Sequence, residues 1–155
     1  MIIEALISFI ACFGFGILFN IKGKKLIFAA LGGGLSWFCY LFFSSFNMSE
    51  TLSFFLSSII FSTYSEICAR FLKTPVTTII ICSLFPLVPG AGMYYTMYET
   101  ITGNVSGAIE LGLTTLANAG SLALGVIFVS TITRQITNLK NIKAKLFEKW
   151  NFYTV

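Results

Sequence analysis

Apolar residues fill this chain in blocks of about twenty, with short polar stretches between them. Ile2 to Phe19, Leu26 to Phe46 and Leu52 to Leu72 are three predominantly apolar runs. A fourth run begins near Val76 and is interrupted at Pro86 and Pro89, and a fifth covers Val105 to Ile132. A helix rises ~1.5 Å per residue, so about twenty such residues cross a ~30 Å hydrocarbon core. The pattern predicts an all-α, polytopic helical membrane protein with about five transmembrane helices, the fourth broken by proline and glycine. The fifth run has length to spare, for tilt or for a break near Asn118-Ala119-Gly120. Residues 1–133 form the predicted transmembrane domain. Residues 134–155 form a basic tail in which Leu139, Ile142, Leu146, Phe147 and Trp150 make a rough apolar stripe. Such a tail suits an interfacial helix on anionic lipid, or a docking surface for a partner.

Composition strengthens this picture. Of 155 residues, 56% are hydrophobic and 10% charged, against about 25% charged in a soluble domain. There is no His, and all six acids are Glu. That excludes Ser-His-Asp and Cys-His catalysis, His-ligated zinc and EF-hand calcium sites, and no Walker-type phosphate loop is present. No enzyme, metal or cofactor is expected. Cys12, Cys39, Cys68 and Cys82 all lie in apolar runs and read as small buried hydrophobes. The opening Met1-Ile2-Ile3-Glu4 lacks the basic region of a secretory signal, so the first run is expected to remain a span.

Charge placement gives an orientation. The bases cluster as Lys22, Lys24 and Lys25, then Arg70 and Lys73, then Arg134 and the lysines of the tail, while the stretches 47–50 and 100–104 carry none. Punctuation of spans by charge fits a membrane protein and not a nucleic-acid binder. Five crossings place every basic cluster on one side, the cytoplasm by the positive-inside rule. The expected protein is multi-pass in the plasma membrane, amino terminus outside and carboxy terminus cytoplasmic.

The fourth run carries the most unusual text, Leu84-Phe85-Pro86-Leu87-Val88-Pro89-Gly90-Ala91-Gly92-Met93-Tyr94-Tyr95. Two prolines remove two backbone donors, and Gly90 and Gly92 permit close approach. Carbonyls freed in this way cannot face lipid; they must be buried in protein or line a wet cavity. The second half-helix then points its amino end at that cavity, as broken transporter helices do toward anionic substrate groups. The competing interpretation is a proline kink that serves packing.

The stretch from Ser62 to Asn104 resembles the small, single-domain members of the threonine/serine exporter family. The resemblance rests on Glu66, Ala69, Arg70 and Pro75, followed by Pro86, Pro89, Gly90 and Gly92 in a Leu-Val-Pro-Gly context. It implies one half of an exporter for small amino acids or small carboxylates, with a dicarboxylate as the alternative cargo. It also implies a separately encoded larger membrane subunit as partner; a homo-oligomer is the other arrangement.

Glu66 and Arg70 stand four apart on the third span and share a helix face. They read either as a proton-coupling carboxylate with its cationic neighbour, or as a structural pair near the interface where Arg70 snorkels. Tyr94, with Tyr64, Tyr95 and Tyr98, suits either the cap of a pocket or an interfacial aromatic belt. Glu99 and Glu110 read as a solvated mouth. In the fifth span Asn118 needs a hydrogen-bond partner. It lies among Thr114, Thr115 and Ser121, while Ala117, Ser121 and Gly125 recur every four residues, a spacing that suits close helix packing or a polar path. Gly32-Gly33-Gly34 reads likewise as a close-packing or flexible point. The substrate-binding set expected from these arguments is Pro86, Pro89, Gly90, Gly92, Tyr94, Glu66, Arg70 and Asn118. A proton-coupled exporter subunit is the leading function; a non-transporting scaffold subunit and a small channel are the rivals.

Overall fold

The computed structural model describes the backbone of residues 1–153 and the side chains of residues 1–137. It is helical throughout these residues: α1 (Ile2–Leu18), α2 (Lys24–Ser45), α3 (Glu50–Phe71), α4 (Val76–Leu84) with a 3-10 turn (Phe85–Leu87), α5 (Gly90–Ile101) and α6 (Val105–Tyr153). Three helices, α2, α3 and α6, are long and apolar enough to cross a membrane, and α4–α5 counts as a fourth span bent by 51°. α1 is a shorter apolar helix of 17 residues, so the described residues give three to four spanning candidates and the expected five is approximate. α6 runs through Asn118-Ala119-Gly120 without a break and continues past Arg134. The side chains of the apolar stripe expected in the tail, from Leu139 to Trp150, lie outside the described residues.

Local sequence accounts for the helix ends. At the close of α1, Ile21 N donates to Gly16 O and Asn20 N to Ile17 O, both at 2.9 Å, the paired bonds of a Schellman motif. The residue that must turn left-handed is Asn20, at φ 57, a side chain that tolerates this region. Lys73 and Gly103 hold the same position after α3 and α5, with Thr74 N bonded to Ala69 O and Asn104 N to Glu99 O at 3.0 Å each.

α2 is the hub, packed against α1, α3 and α4, while α3 carries α6 and α6 carries α5. The triple glycine is a packing device. A Cβ on Gly33 would strike Cys12 of α1, one on Gly32 would strike Ser83 of α4, and one on Gly34 would lie 3.2 Å from the Ala5 carbonyl oxygen. Small residues let backbones approach where lipid offers no hydrophobic drive to association. The Cys12 thiol donates to the Cys82 carbonyl at 3.3 Å, Ser8 to Gly33 O at 3.0 Å, and the Tyr64 hydroxyl to Phe28 O at 2.9 Å.

Two buried clusters fill the bundle. One joins Ile21, Ala29, Cys68, Ala69, Ile79 and Cys82; the other joins Phe54, Phe61, Leu87 and Leu122. The first ties the α1–α2 turn to the carboxy end of α3. Arg70 then binds Thr137 of α6. Lys22, Lys24, Lys25, Arg70, Lys73 and Arg134 therefore lie at one end of the bundle, with Glu4, Glu50, Glu99 and Glu110 toward the other.

Candidate functional site

Unequal helix lengths create an opening. α3 has 22 residues, a rise of about 33 Å. From the basic end, α4 and its 3-10 turn cover only Val76–Leu87 before α5 departs at 51°, a climb of about 18 Å. The space beside the far half of α3 is thus left unfilled by α4. It is a cavity of 530 Å³, within the range of small-molecule sites.

The proline segment forms one wall. Pro86, Pro89, Gly90 and Gly92 all line the cavity. Pro86 and Pro89 have no N–H, and Gly90 N turns back to Val88 O at 2.7 Å. The first regular return bond at α5 is Met93 N to Pro89 O, and no side chain caps the helix. Among the described residues the N–H groups of Ala91 and Gly92 therefore have no acceptor, as the first turn of any helix leaves its donors. The carbonyls of Pro86 and Leu87 accept no hydrogen bond from them either.

α6 contributes Leu111, Thr114, Thr115 and Asn118 to the lining. Asn118 is 4% exposed. Its Oδ1 accepts from Thr51 of α3 at 2.9 Å, while its Nδ2 makes no hydrogen bond among the described residues. Gly92 meets α6 closely, since a Cβ there would strike the Thr115 hydroxyl, whereas a Cβ on Gly90 finds nothing within 4 Å. The two glycines thus differ: Gly92 sets the approach of α5 to α6, and Gly90 opens space.

α2 and α3 complete the cavity with Trp37, Tyr40, Glu50 and Phe54. The Trp37 and Tyr40 rings lie 5.3 Å apart and those of Tyr40 and Phe54 4.7 Å apart. These four residues were not singled out from sequence. The i, i+3 spacing of Trp37 and Tyr40, on the helix that presents Gly32–Gly34 to its neighbours, was the available signal.

Glu66 and Arg70 lie elsewhere. Sixteen residues of α3 separate Glu66 from Glu50, about 24 Å of helix. The Glu66 side chain is 14% exposed and that of Arg70 52%, and they approach to 4.0 Å. Arg70 Nη2 donates to Thr137 Oγ1 at 2.9 Å. Tyr94 lies on the exposed side of α5, edge-on to Tyr95 and stacked with Tyr98, and is not among the residues lining the cavity. Five of the eight expected residues therefore share one cavity, and Glu66, Arg70 and Tyr94 are outside it. α3 also carries buried Ser53, Ser57, Ser58, Ser62 and Ser65, and the hydroxyls of Ser57 and Ser62 have no partner among the described residues.

Comparison with curated proteins and with solved structures gave no match. The family model described as Threonine/Serine exporter, ThrE matches residues 4–132, which takes in every residue that lines the cavity. Apolar spanning helices and this match agree: the chain belongs to the threonine/serine exporter family, and is a multi-pass membrane protein of transport rather than an enzyme.

Proposed function

We propose that the chain is one subunit of a secondary exporter that moves a small amino acid or small carboxylate out of the cell, across the plasma membrane. The observation that carries this is the break at Pro86–Pro89. Among the described residues it leaves backbone donors and acceptors without partners on a cavity of 530 Å³, which the Asn118 amide nitrogen, likewise without a partner among them, also lines. Unpaired groups at membrane depth are costly unless water or a polar solute takes up their bonds.

In this proposal Ala91 and Gly92 N–H and the Asn118 amide hold an anionic or hydroxyl group of the cargo, and Pro86 and Pro89 keep the break open. Glu66 is the proton-coupling carboxylate at the basic end, with Arg70 holding it to α6 through Thr137. Tyr94 closes over the cavity when α5 swings on the Pro89–Gly90 joint. The basic end faces the cytoplasm and the amino terminus lies outside, which puts the cavity on the outer half of the membrane. α5 has no buried residue, so its free face is offered to the larger membrane subunit or to a second copy.

The test is export. Cells that carry the protein with Pro89→Ala and Gly90→Leu together are expected to accumulate threonine, serine or a dicarboxylate to the level of the deletion strain. Unchanged export at normal protein level would refute the proposal and favour a scaffold subunit. Flux through liposomes without saturation would favour a channel.

A further inference from the structure

The lining of the cavity is chemically varied. α5 contributes the unpaired N–H groups of Ala91 and Gly92, at the start of a 12-residue helix, and α6 the buried Asn118 amide, whose nitrogen has no partner among the described residues. A helix start carries about half a positive charge, enough to favour one carboxylate. α2 and α3 contribute Trp37, Tyr40, Phe54 and the exposed Glu50 to the same lining. Glu50 is the single charged side chain among the lining residues, and no Lys or Arg accompanies it. Aromatic faces attract a cation, and a carboxylate completes the attraction.

We infer that Glu50, set against the Trp37–Tyr40–Phe54 wall, is a specificity-determining residue. It receives the ammonium group of a zwitterionic solute whose carboxylate meets the start of α5. This rests on the reading of the cavity as the cargo site and decides between its two cargo classes. A dicarboxylate would set its second carboxylate against Glu50 or against aromatic faces, with no base in the lining to offset it. An amino acid finds a partner for each of its charges. Glu50 has a rival structural role, since an acid in the first turn of α3 favours that helix start, and the test must separate the two.

Trp37 supplies the probe. In full-length protein in nanodiscs, with Trp150→Phe removing the other tryptophan, Trp37 fluorescence is titrated with L-threonine, succinate and 3-hydroxybutyrate, which is threonine without its amino group. Threonine is expected to bind at least tenfold more tightly than either of the others. Glu50→Gln is expected to weaken threonine tenfold or more and to leave 3-hydroxybutyrate and succinate unchanged or tighter. Glu50→Asp should keep the order of preference. Uniform weakening of all three, with a lowered melting temperature in Glu50→Gln, assigns Glu50 to the helix start and overturns the inference. A wild-type preference for succinate overturns it too, while leaving the cavity as the cargo site. Binding of none of the three by folded protein overturns both.

Discussion

Thr51 Oγ1 donates to Asn118 Oδ1 at 2.9 Å, and the contact fixes the register of α3 on α6. The partners are 67 residues apart, and the same offset recurs at the other end of the pair, where Arg70 binds Thr137 at 2.9 Å. Between them, a Cβ on Gly125 would strike the hydroxyl of Ser58, again at this offset. The two helices run parallel in constant register over nineteen residues, about 28 Å, close to the ~30 Å of a hydrocarbon core. A polar clasp at each end and a close approach between them hold the wall on which the cavity is built.

Replacing Gly125 should loosen that wall. Gly125→Leu drives a side chain into Ser58 and the Phe55 carbonyl, and overpacking of this kind costs about 1–3 kcal/mol. Thermal unfolding in detergent should show a lower midpoint, partly restored by adding Ser58→Gly. No recovery in the double variant would place the strain elsewhere.

Thr51→Val removes the donor to Asn118 and nearly preserves shape. Membrane hydrogen bonds of this type average about 0.6 kcal/mol, so the stability loss should be small. Asn118→Leu removes the same bond and also the free amide nitrogen in the cavity. Cargo binding should therefore fall much further in Asn118→Leu than in Thr51→Val at comparable melting temperature; equal losses would make Asn118 a packing residue only.

The two glycines of the break should separate cleanly. Gly90→Ala meets no atom within 4 Å and should fold normally. Gly92→Val collides with Thr115 and should push α5 from α6. Disulfide trapping between cysteines placed at Thr96 and Gly112, which pack together, is expected to proceed in Gly90→Ala and to drop several-fold in Gly92→Val.

Glu66 is predicted to govern coupling rather than cargo binding. Glu66→Gln should leave threonine binding within twofold of wild type, because Glu66 is about 18 Å along α3 from Phe54, the nearest α3 residue of the lining, and should abolish the dependence of export on a pH gradient. Unaltered dependence would reduce Glu66 to the structural partner of Arg70.

Sidedness is open to direct labelling. In a background without Cys12, Cys39, Cys68 and Cys82, Ser49→Cys should react with an impermeant maleimide in intact cells, and Lys73→Cys only after lysis. The reverse pattern would invert the orientation and turn the cavity toward the cytoplasm.

Much of the fold was legible because bilayer physics acts on composition and local chemistry. Long apolar runs must become helices, since only helices satisfy their own backbone in lipid. Asn20 and Gly103 sit where the chain must turn left-handed, and Pro86 to Gly92 must interrupt the ladder whatever surrounds them. Of the candidate site, Pro86, Pro89, Gly90, Gly92 and Asn118 were found because each breaks a local rule of membrane helices. Trp37, Tyr40, Phe54 and Glu50 break none, and the i, i+3 spacing of Trp37 and Tyr40 is too common on apolar helices to mark them. An aromatic on an apolar helix and an acid at a helix start are ordinary until a cavity forms beside them.

The sequence by itself therefore determined the helices, their ends, the break and the segregation of basic residues, because these follow from interactions within a few residues of one another and with solvent or lipid. Only the tertiary structure decided that the break faces Asn118 and Glu50 and lies far from Glu66, and that Gly92 packs while Gly90 leaves room. Those outcomes depend on which helix lies beside which and at what offset. Small contacts between residues up to 67 positions apart set that offset, and no local pattern encodes it.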